Sequence, residues 1–560
     1  MTAHVDPAAH RSARAGTRAR IARGALLRPR ALATPARHAW IARISAPAWG
    51  AIAATAAFIG VTCWWLTQDS SIPIYDAGSQ LETALVFHKM LAAGNLLGPF
   101  TYDETVYPFL GHLVGGVAAL IAGASVAAPI VGENLVFVPL LALGCYQTGR
   151  LLFGPLAGLL AVVLVLGSPL VISMFHVFLL DGQLTALVAV AVWLILASED
   201  FSRPHVAALA GLAVGLGMNI KVQFALFVVG LVVVVLAHGG WRNRRGFAIF
   251  AAIALAVGLP WYIDHLGRLG LMLELAGSRG TPADSIPPAL STANLGWYFW
   301  SVLNSQLLVP LFVLALVGVA WTLVTIARNP RAHPARLELT AAAFAAWLVI
   351  TFVTPHHDIR YGLPLLAFVA VIATGWIAHV PRTPRLAGIA ILAMGVLANT
   401  LGIDFGVGRE VKVALVARLP ATEQNSDQLV VYSTNGFLVS APKRDGDVLG
   451  LLQALHREGV RTLSFSLEQS RLSDFSYAGL FPLAQIAGLT PVITQTSWGR
   501  PVPSVATLLH EPITATSVPT CTRLSDGTGV WVARYDRAAG KLAYYCPTHR
   551  PRYYDPGTIG

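Results

Sequence analysis

Charge is scarce in this chain. Asp, Glu, Lys and Arg make up 12% of its 560 residues, against 55% hydrophobic residues. An ordinary soluble domain carries about 25% charge, so a wholly soluble fold is excluded. Mean hydropathy is +0.62, and apolar runs repeatedly approach the ~18 residues that mark a bilayer-spanning helix. Cysteine is scarce too, with four in the chain. Cys63 and Cys145 fall in apolar runs and read as packing residues. Cys521 and Cys546 lie in the C-terminal stretch and form a candidate disulfide if that stretch faces an oxidising compartment. A cleavable signal is not expected: about 45 residues precede the first apolar run, and no small-residue cleavage site follows it. Residues 404–560 contain no glycine-rich phosphate loop, Cys/His metal array or nucleophile elbow, and no repeat relates the two halves of the chain.

What charge there is has a pattern. The formal net charge is +11, which alone points toward nucleic acid, but its location points elsewhere. Nine arginines lie between Arg11 and Arg43, with Asp6 the only acid before the first apolar run. Further cations sit in short connections: Arg242, Arg244 and Arg245; Arg328, Arg331 and Arg336; Arg382 and Arg385. Residues 404–560 hold 15 Lys/Arg against 13 Asp/Glu, close to neutrality. This is the positive-inside distribution of a polytopic membrane protein, with anionic lipid as a partner of the tail and nucleic acid not implied.

Apolar runs occur at 46–67, 127–148, 154–172, 178–197, 205–219, 222–238, 246–263, 300–326, 337–354, 361–379 and 385–403. Read as about eleven transmembrane helices, they put the N-terminus in the cytoplasm and the C-terminus outside. Residues 1–45 are then a disordered basic cytoplasmic tail and 46–403 the membrane domain. A first outer loop at 68–126 includes a juxtamembrane helix at 106–123. Residues 404–560 form a soluble extracytoplasmic α/β domain, with strands expected at 429–432, 462–466 and 530–535 and a helix at 448–458. If 205–238 were one span and 106–123 also crossed, Asp76 and Asp181 would fall on opposite faces.

In the eleven-span reading the polar groups converge on the outer face. Asp76 follows the first span within Tyr75-Asp76-Ala77-Gly78-Ser79-Gln80-Leu81-Glu82, and Asp181 interrupts an apolar stretch from Met174 to Ala197. Ionisable groups at membrane depth are costly and mark function by default. Glu82, Asp103, Glu104, Lys221, Asp264, His265, His356, His357, Asp358 and Arg360 join them. Such a set suits transfer of a sugar from a lipid phosphate to a hydroxyl. That reaction needs a carboxylate to take the acceptor proton, cations for the departing phosphate and an apolar groove for the lipid. General-base help is worth about 10²–10⁴-fold, and charge stabilisation at the leaving group often more. Asp76 is the candidate base, and Lys221 and Arg360 are the candidate phosphate ligands. The plainer readings are a buried structural acid for Asp181, a snorkelling Lys221, a capping Arg360 and solvated loop acids for Asp103 and Glu104. Trp261, Tyr262, Trp297, Tyr298 and Trp300 read as an interfacial aromatic belt.

Several segments, in order, carry a resemblance. Tyr75-Asp76 with the following Leu81–Leu91, Tyr107-Pro108, Gly149-Arg150-Leu151-Leu152-Phe153-Gly154, Phe178-Leu179-Leu180-Asp181, Gly211–Lys221, Leu259-Pro260-Trp261-Tyr262 and Arg360-Tyr361-Gly362-Leu363-Pro364 resemble the GT-C membrane glycosyltransferases. The likeness covers about 46–380 and is to the branch with protein O-mannosyltransferases and the lipid A aminoarabinose transferase. It implies an inverting transferase on the outer face of a bacterial cytoplasmic membrane, using a polyprenyl-phosphate-linked sugar and a glycan, lipid or protein acceptor. Asp76 then matches the catalytic acid, and Asp181 the second acidic position near the acceptor or a metal. Lys221 and Arg360 match basic positions at the donor phosphate. The chain departs from the family where Ala77 follows Asp76 in place of a second acid, for which Glu82 is the candidate substitute, its plain reading being a surface helix acid. It departs again where Tyr107-Pro108-Phe109 replaces a double proline. Some family members bind a divalent metal; here His356 and His357 lack a recognisable third ligand, and His357 reads as a phosphate or interfacial contact. A transporter or lipid-linked sugar flippase is the competing class, and a non-catalytic scaffold a third. The sugar and the acceptor stay open.

Overall fold

The computed structural model describes residues 45–73, 75–268, 270, 288–353, 357–401, 448–466, 477–494, 505–511, 522–523, 529–536, 541–544 and 552–553. The expected tail at 1–45, the strand at 429–432, His356, and both Cys521 and Cys546 lie outside these residues, Ser45 excepted. The helices are α1 Ala46–Leu66, α2 Tyr75–Ala92, α3 Gly98–Thr101, α4 Leu110–Ala122, α5 Ala127–Phe153, α6 Pro155–Leu166, α7 Pro169–His176 and α8 Leu180–Ala197. They continue as α9 Pro204–Met218, α10 Phe224–Ala237, α11 Arg244–Asp264, α12 Thr292–Ser301, α13 Leu308–Arg328, α14 Pro334–Val353, α15 Leu365–Gly375 and α16 Arg382–Leu401. Among the described residues seven helical stretches are long and apolar enough to cross a membrane, or eight if α6 and α7, bent by 61° at their junction, count as one span. The protein is therefore a polytopic helical membrane protein. Each of the eleven apolar runs falls on a helix or broken helix, although α9, α10 and α15 are shorter than a standard span.

Punctuation in the sequence explains the breaks. Pro155 and Pro169 each open a helix after Gly154 and Ser168, as expected where proline occupies a first helical position and bars helix from the residue before it. The run at 300–326 is interrupted: Val302–Leu307 forms a π-helical turn between α12 and α13, and Leu308 takes φ 56°. The expected helix at 106–123 starts later, at Leu110, because Pro108 and its neighbours stay outside it.

Lipid offers no hydrophobic drive for helix pairing, so small residues allow close approach instead. A Cβ on Gly211 of α9 would lie 2.4 Å from the Phe250 carbonyl of α11, and one on Gly215 would lie 2.6 Å from Val257. Gly144 of α5 meets the Ala189 backbone of α8 just as closely, at 2.5 Å. Helix α8 is buried along almost its whole length and forms the centre of the bundle. The aromatic-belt reading fails for four of its five residues. Trp261, Tyr262, Trp297 and Tyr298 are buried inside the protein; the Tyr262 hydroxyl donates to the Met218 carbonyl at 2.6 Å.

Beyond the bundle, α17 Val448–Arg457, β1 Thr462–Ser466, α18 Tyr477–Ile486, β2 Thr490–Thr494, β3 Val505–Glu511, β4 Thr522–Arg523, β5 Gly529–Asp536, β6 Lys541–Tyr544 and β7 Arg552–Tyr553 build one mixed sheet with two helices. Strand order is β2-β1-β3-β5-β6-β7, with β4 on β5. β1 pairs parallel with β2 and β3, in register Thr462 with Thr490 and with Val505; the other pairs are antiparallel. Expected elements at 448–458, 462–466 and 530–535 correspond to α17, β1 and β5.

Candidate active site

Two of the singled-out acids open helices. Asp76 stands in the first turn of α2 and Asp181 in the first turn of α8, where the helix dipole favours a negative charge by about 0.3–1 kcal/mol. Two cations come from breaks. Lys221 lies between α9 and α10, where Asn219 caps the end of α9 by donating to the Gly215 and Val257 carbonyls at 3.0 and 2.8 Å. Arg360 sits in a 3-10 turn, Ile359–Gly362, that Asp358 starts by accepting from the Arg360 backbone N–H at 2.8 Å.

These four groups pair. Arg360 Nη1 donates to Asp76 Oδ2 at 2.9 Å across 284 residues of sequence. The same guanidinium is clasped by Asp358, with Nη2 to Oδ2 at 2.7 Å and Nε to Oδ1 at 3.1 Å. Lys221 Nζ donates to Asp181 Oδ1 at 2.9 Å, both side chains being nearly fully buried. Tyr107 and Tyr361 join the pairs: Lys221 Nζ lies 5.4 Å from the Tyr107 ring centroid and 5.8 Å from that of Tyr361. Tyr107 also feels the charges of Asp76, Asp181 and Arg360, and burial pushes its phenol above the usual range. The Asp76 side chain alone among the four is half exposed, at 51%. An accessible carboxylate, held by a buried arginine and set beside a buried Lys–Asp pair, can accept a proton from a molecule arriving at the surface.

The other singled-out residues stand apart from this group. Glu82, on α2, faces Gln485 of α18, whose Nε2 donates to its Oε1 at 3.3 Å. Burial, then the Glu104 charge, raises the Glu82 carboxyl to about 7, with Lys89 opposing. Asp103 and Glu104 are exposed, and Glu104 accepts from the Tyr102 hydroxyl at 2.9 Å. His357 is three residues from Arg360, but its Nε2 engages Asn294 Oδ1 and its ring packs 5.0 Å from Trp297. Among the described residues, no group of three or more His, Cys, Asp or Glu side chains gathers as a metal site.

Reading by residue type passed over four residues in or near the site. Glu133, fully buried in α5, lies beside Gly182 and Gln183; a lone acid in the run at 127–148 carried the same signal that singled out Asp181. His112 engages Gln80, one turn beyond Asp76, in the interior. Tyr107 and Tyr361 were visible only as parts of motifs, since their meeting with Lys221 depends on the fold.

The comparisons agree with this architecture. The family model of dolichyl-phosphate-mannose-protein mannosyltransferases matches residues 106–263. The fold is similar to ArnT from Cupriavidus metallidurans in the apo state, with a TM-score of 0.52 and 16% identity, covering 80% of this chain and 86% of that one. It is likewise similar to the same protein bound to undecaprenyl phosphate, with a TM-score of 0.54 and 16% identity, covering 87% and 98%. No curated protein sequence matches significantly. The likeness to GT-C membrane glycosyltransferases thus holds in sequence over one stretch and in fold over most of the chain.

Proposed function

We propose that the chain is an inverting glycosyltransferase that moves a sugar from a polyprenyl phosphate to a hydroxyl acceptor. The observation that carries this reading is the Asp76–Arg360 pair, exposed on its carboxylate side and backed by Asp181–Lys221, within a GT-C fold. The similar ArnT structure that holds undecaprenyl phosphate supports a polyprenyl donor. In this reading the membrane domain spans eleven times, the site opens on the outer face of a bacterial cytoplasmic membrane, and residues 404–560 form a domain on that side.

The chemistry follows from the charges. Both cations are engaged with carboxylates, so an incoming donor phosphate competes with Asp76 for Arg360. Losing its cation strengthens Asp76 as a base, so donor binding itself arms the carboxylate. Asp76 then takes the acceptor O–H proton while the oxygen attacks the anomeric carbon opposite the phosphate. The C–O bond to phosphate breaks, and polyprenyl phosphate departs with its charge held by Arg360 and Lys221. Asp181 keeps Lys221 ionised and in place. Glu82 and His357 bond to Gln485 and Asn294, apart from these four groups. The test is transfer of label from a polyprenyl-phosphate sugar to a hydroxyl acceptor by the purified protein in detergent. Release of free polyprenyl phosphate with a glycosylated product is expected; movement of intact donor between leaflets with no bond broken would instead indicate a flippase.

A further inference from the structure

The segment that leads into Asp76 is held by the C-terminal part of the chain. Ile72, four residues before Asp76, is 4% exposed and belongs to the core formed by Val448, Leu451, Leu452, Leu455 and Leu480. Pro73 follows, and its carbonyl oxygen presses on Gly479 of α18: a Cβ there would lie 1.9 Å from that oxygen and 2.7 Å from Ile72 Cγ2. No side chain fits without moving backbone. Further along, Gln485 of α18 binds α2 twice, giving Nε2 to Glu82 at 3.3 Å and accepting from Lys89 Nζ at 3.1 Å. Helix α2 is thus gripped just before its first turn and again along its length, by one helix some 400 residues away in sequence.

We propose that α18 is a positioning clamp for the base, with Gly479 and Gln485 as positioning residues that set where Asp76 meets Arg360 and the acceptor. The inference rests on the reading of Asp76 as the base. Asp76 lies three positions beyond Pro73, a reach of at most about 10 Å, so a shift of the Pro73 carbonyl is passed on to the carboxylate. Misplacement by about 1 Å can cost up to about 10²-fold in rate. The clamp touches neither Arg360 nor Lys221, so its loss falls on turnover; a displaced Asp76 competes less for Arg360, so donor KM stays level or drops.

The experiment compares full-length Gly479→Val, Gly479→Ala and Gln485→Leu with wild type in detergent, measuring kcat, donor KM and hydrogen exchange over residues 75–92. Val492→Ser, on the exposed side of β2, is the control with wild-type turnover. Gly479→Val is expected to lower kcat about tenfold or more with donor KM level or lower, and to speed exchange in α2; Gln485→Leu follows with about a threefold loss in kcat. Turnover within twofold of wild type in folded Gly479→Val, or a loss carried by KM alone, overturns the clamp. If Gly479→Val does not fold, Gly479→Ala and Gln485→Leu decide by the same criteria. If wild type itself transfers no sugar, the catalytic reading falls, while unchanged exchange over 75–92 in the variants separately rejects the clamp.

Discussion

At the residue scale the site is two ion pairs with different surroundings, and each predicts a different failure. Asp181 and Lys221 are both nearly fully buried. Lys221→Met should therefore destabilise the protein by about 3–5 kcal/mol, the cost of leaving a buried charge without its partner. The double variant with Asp181→Asn should recover most of that loss, as read by thermal unfolding in detergent; no recovery would mean the pair is not coupled. Arg360 serves two carboxylates through a planar fork, which a lysine cannot reproduce. Arg360→Lys should keep the fold but lower transfer by about 10²-fold, since the phosphate and Asp76 both lose an oriented donor. Glu82 gives a pH prediction. Its carboxyl is raised to about 7 from an ordinary value of 4.5, so between those pH values the folded state holds a proton that the unfolded chain has released. Folded stability from this group is full below about pH 4.5 and falls as pH rises through about 7. Glu82→Gln should flatten that decline in a melting series across pH 4.5–8, and parallel curves would contradict it. Asp181 and Lys221 were legible as isolated charges in apolar runs, and Asp76 and Arg360 as charges beside the ends of spans. Which cation meets which acid was not, because 284 residues separate Asp76 from Arg360.

At the element scale, position comes from helix ends and breaks. Both acids lie in first turns, and both cations lie where helices stop, at the α9–α10 break and in the turn before α15. Glycine and proline announce those breaks, so each apolar run falls on a helix or broken helix, while seven or eight of the described helical stretches are long enough to span. The π-helical turn at Val302–Leu307 had no such announcement, since no glycine or proline falls within it. Close helix crossings follow the glycines. Gly211→Leu on α9 would drive a side chain into the Phe250 carbonyl. Overpacking of this kind costs about 1–3 kcal/mol and more where backbone is the obstacle. A lower melting temperature and a shifted Lys221, seen as lost transfer, are expected; an unchanged melt would show that α9 and α11 do not cross there. The clamp on α2 was illegible in sequence. Ile72, Gly479 and Gln485 are common residue types, and only contact between distant segments gives them a role.

At the scale of the whole molecule, scarcity of charge and the placement of arginines settled the membrane class before any motif was read. The proposed topology rests on the same arginines and is directly testable. In a background without native cysteines, Asp103→Cys and Val492→Cys should react with a membrane-impermeant thiol reagent on intact cells, and Arg242→Cys should react only after permeabilisation. Label on Arg242→Cys in intact cells would reverse the orientation. The most direct measurement of the account as a whole is the initial rate of sugar transfer from a labelled polyprenyl-phosphate donor by wild type and Asp76→Asn, at matched folding and donor binding. Loss of the general base predicts a fall of about 10²–10⁴-fold in the variant; transfer at the wild-type rate would contradict the assignment of Asp76 and the mechanism built on it.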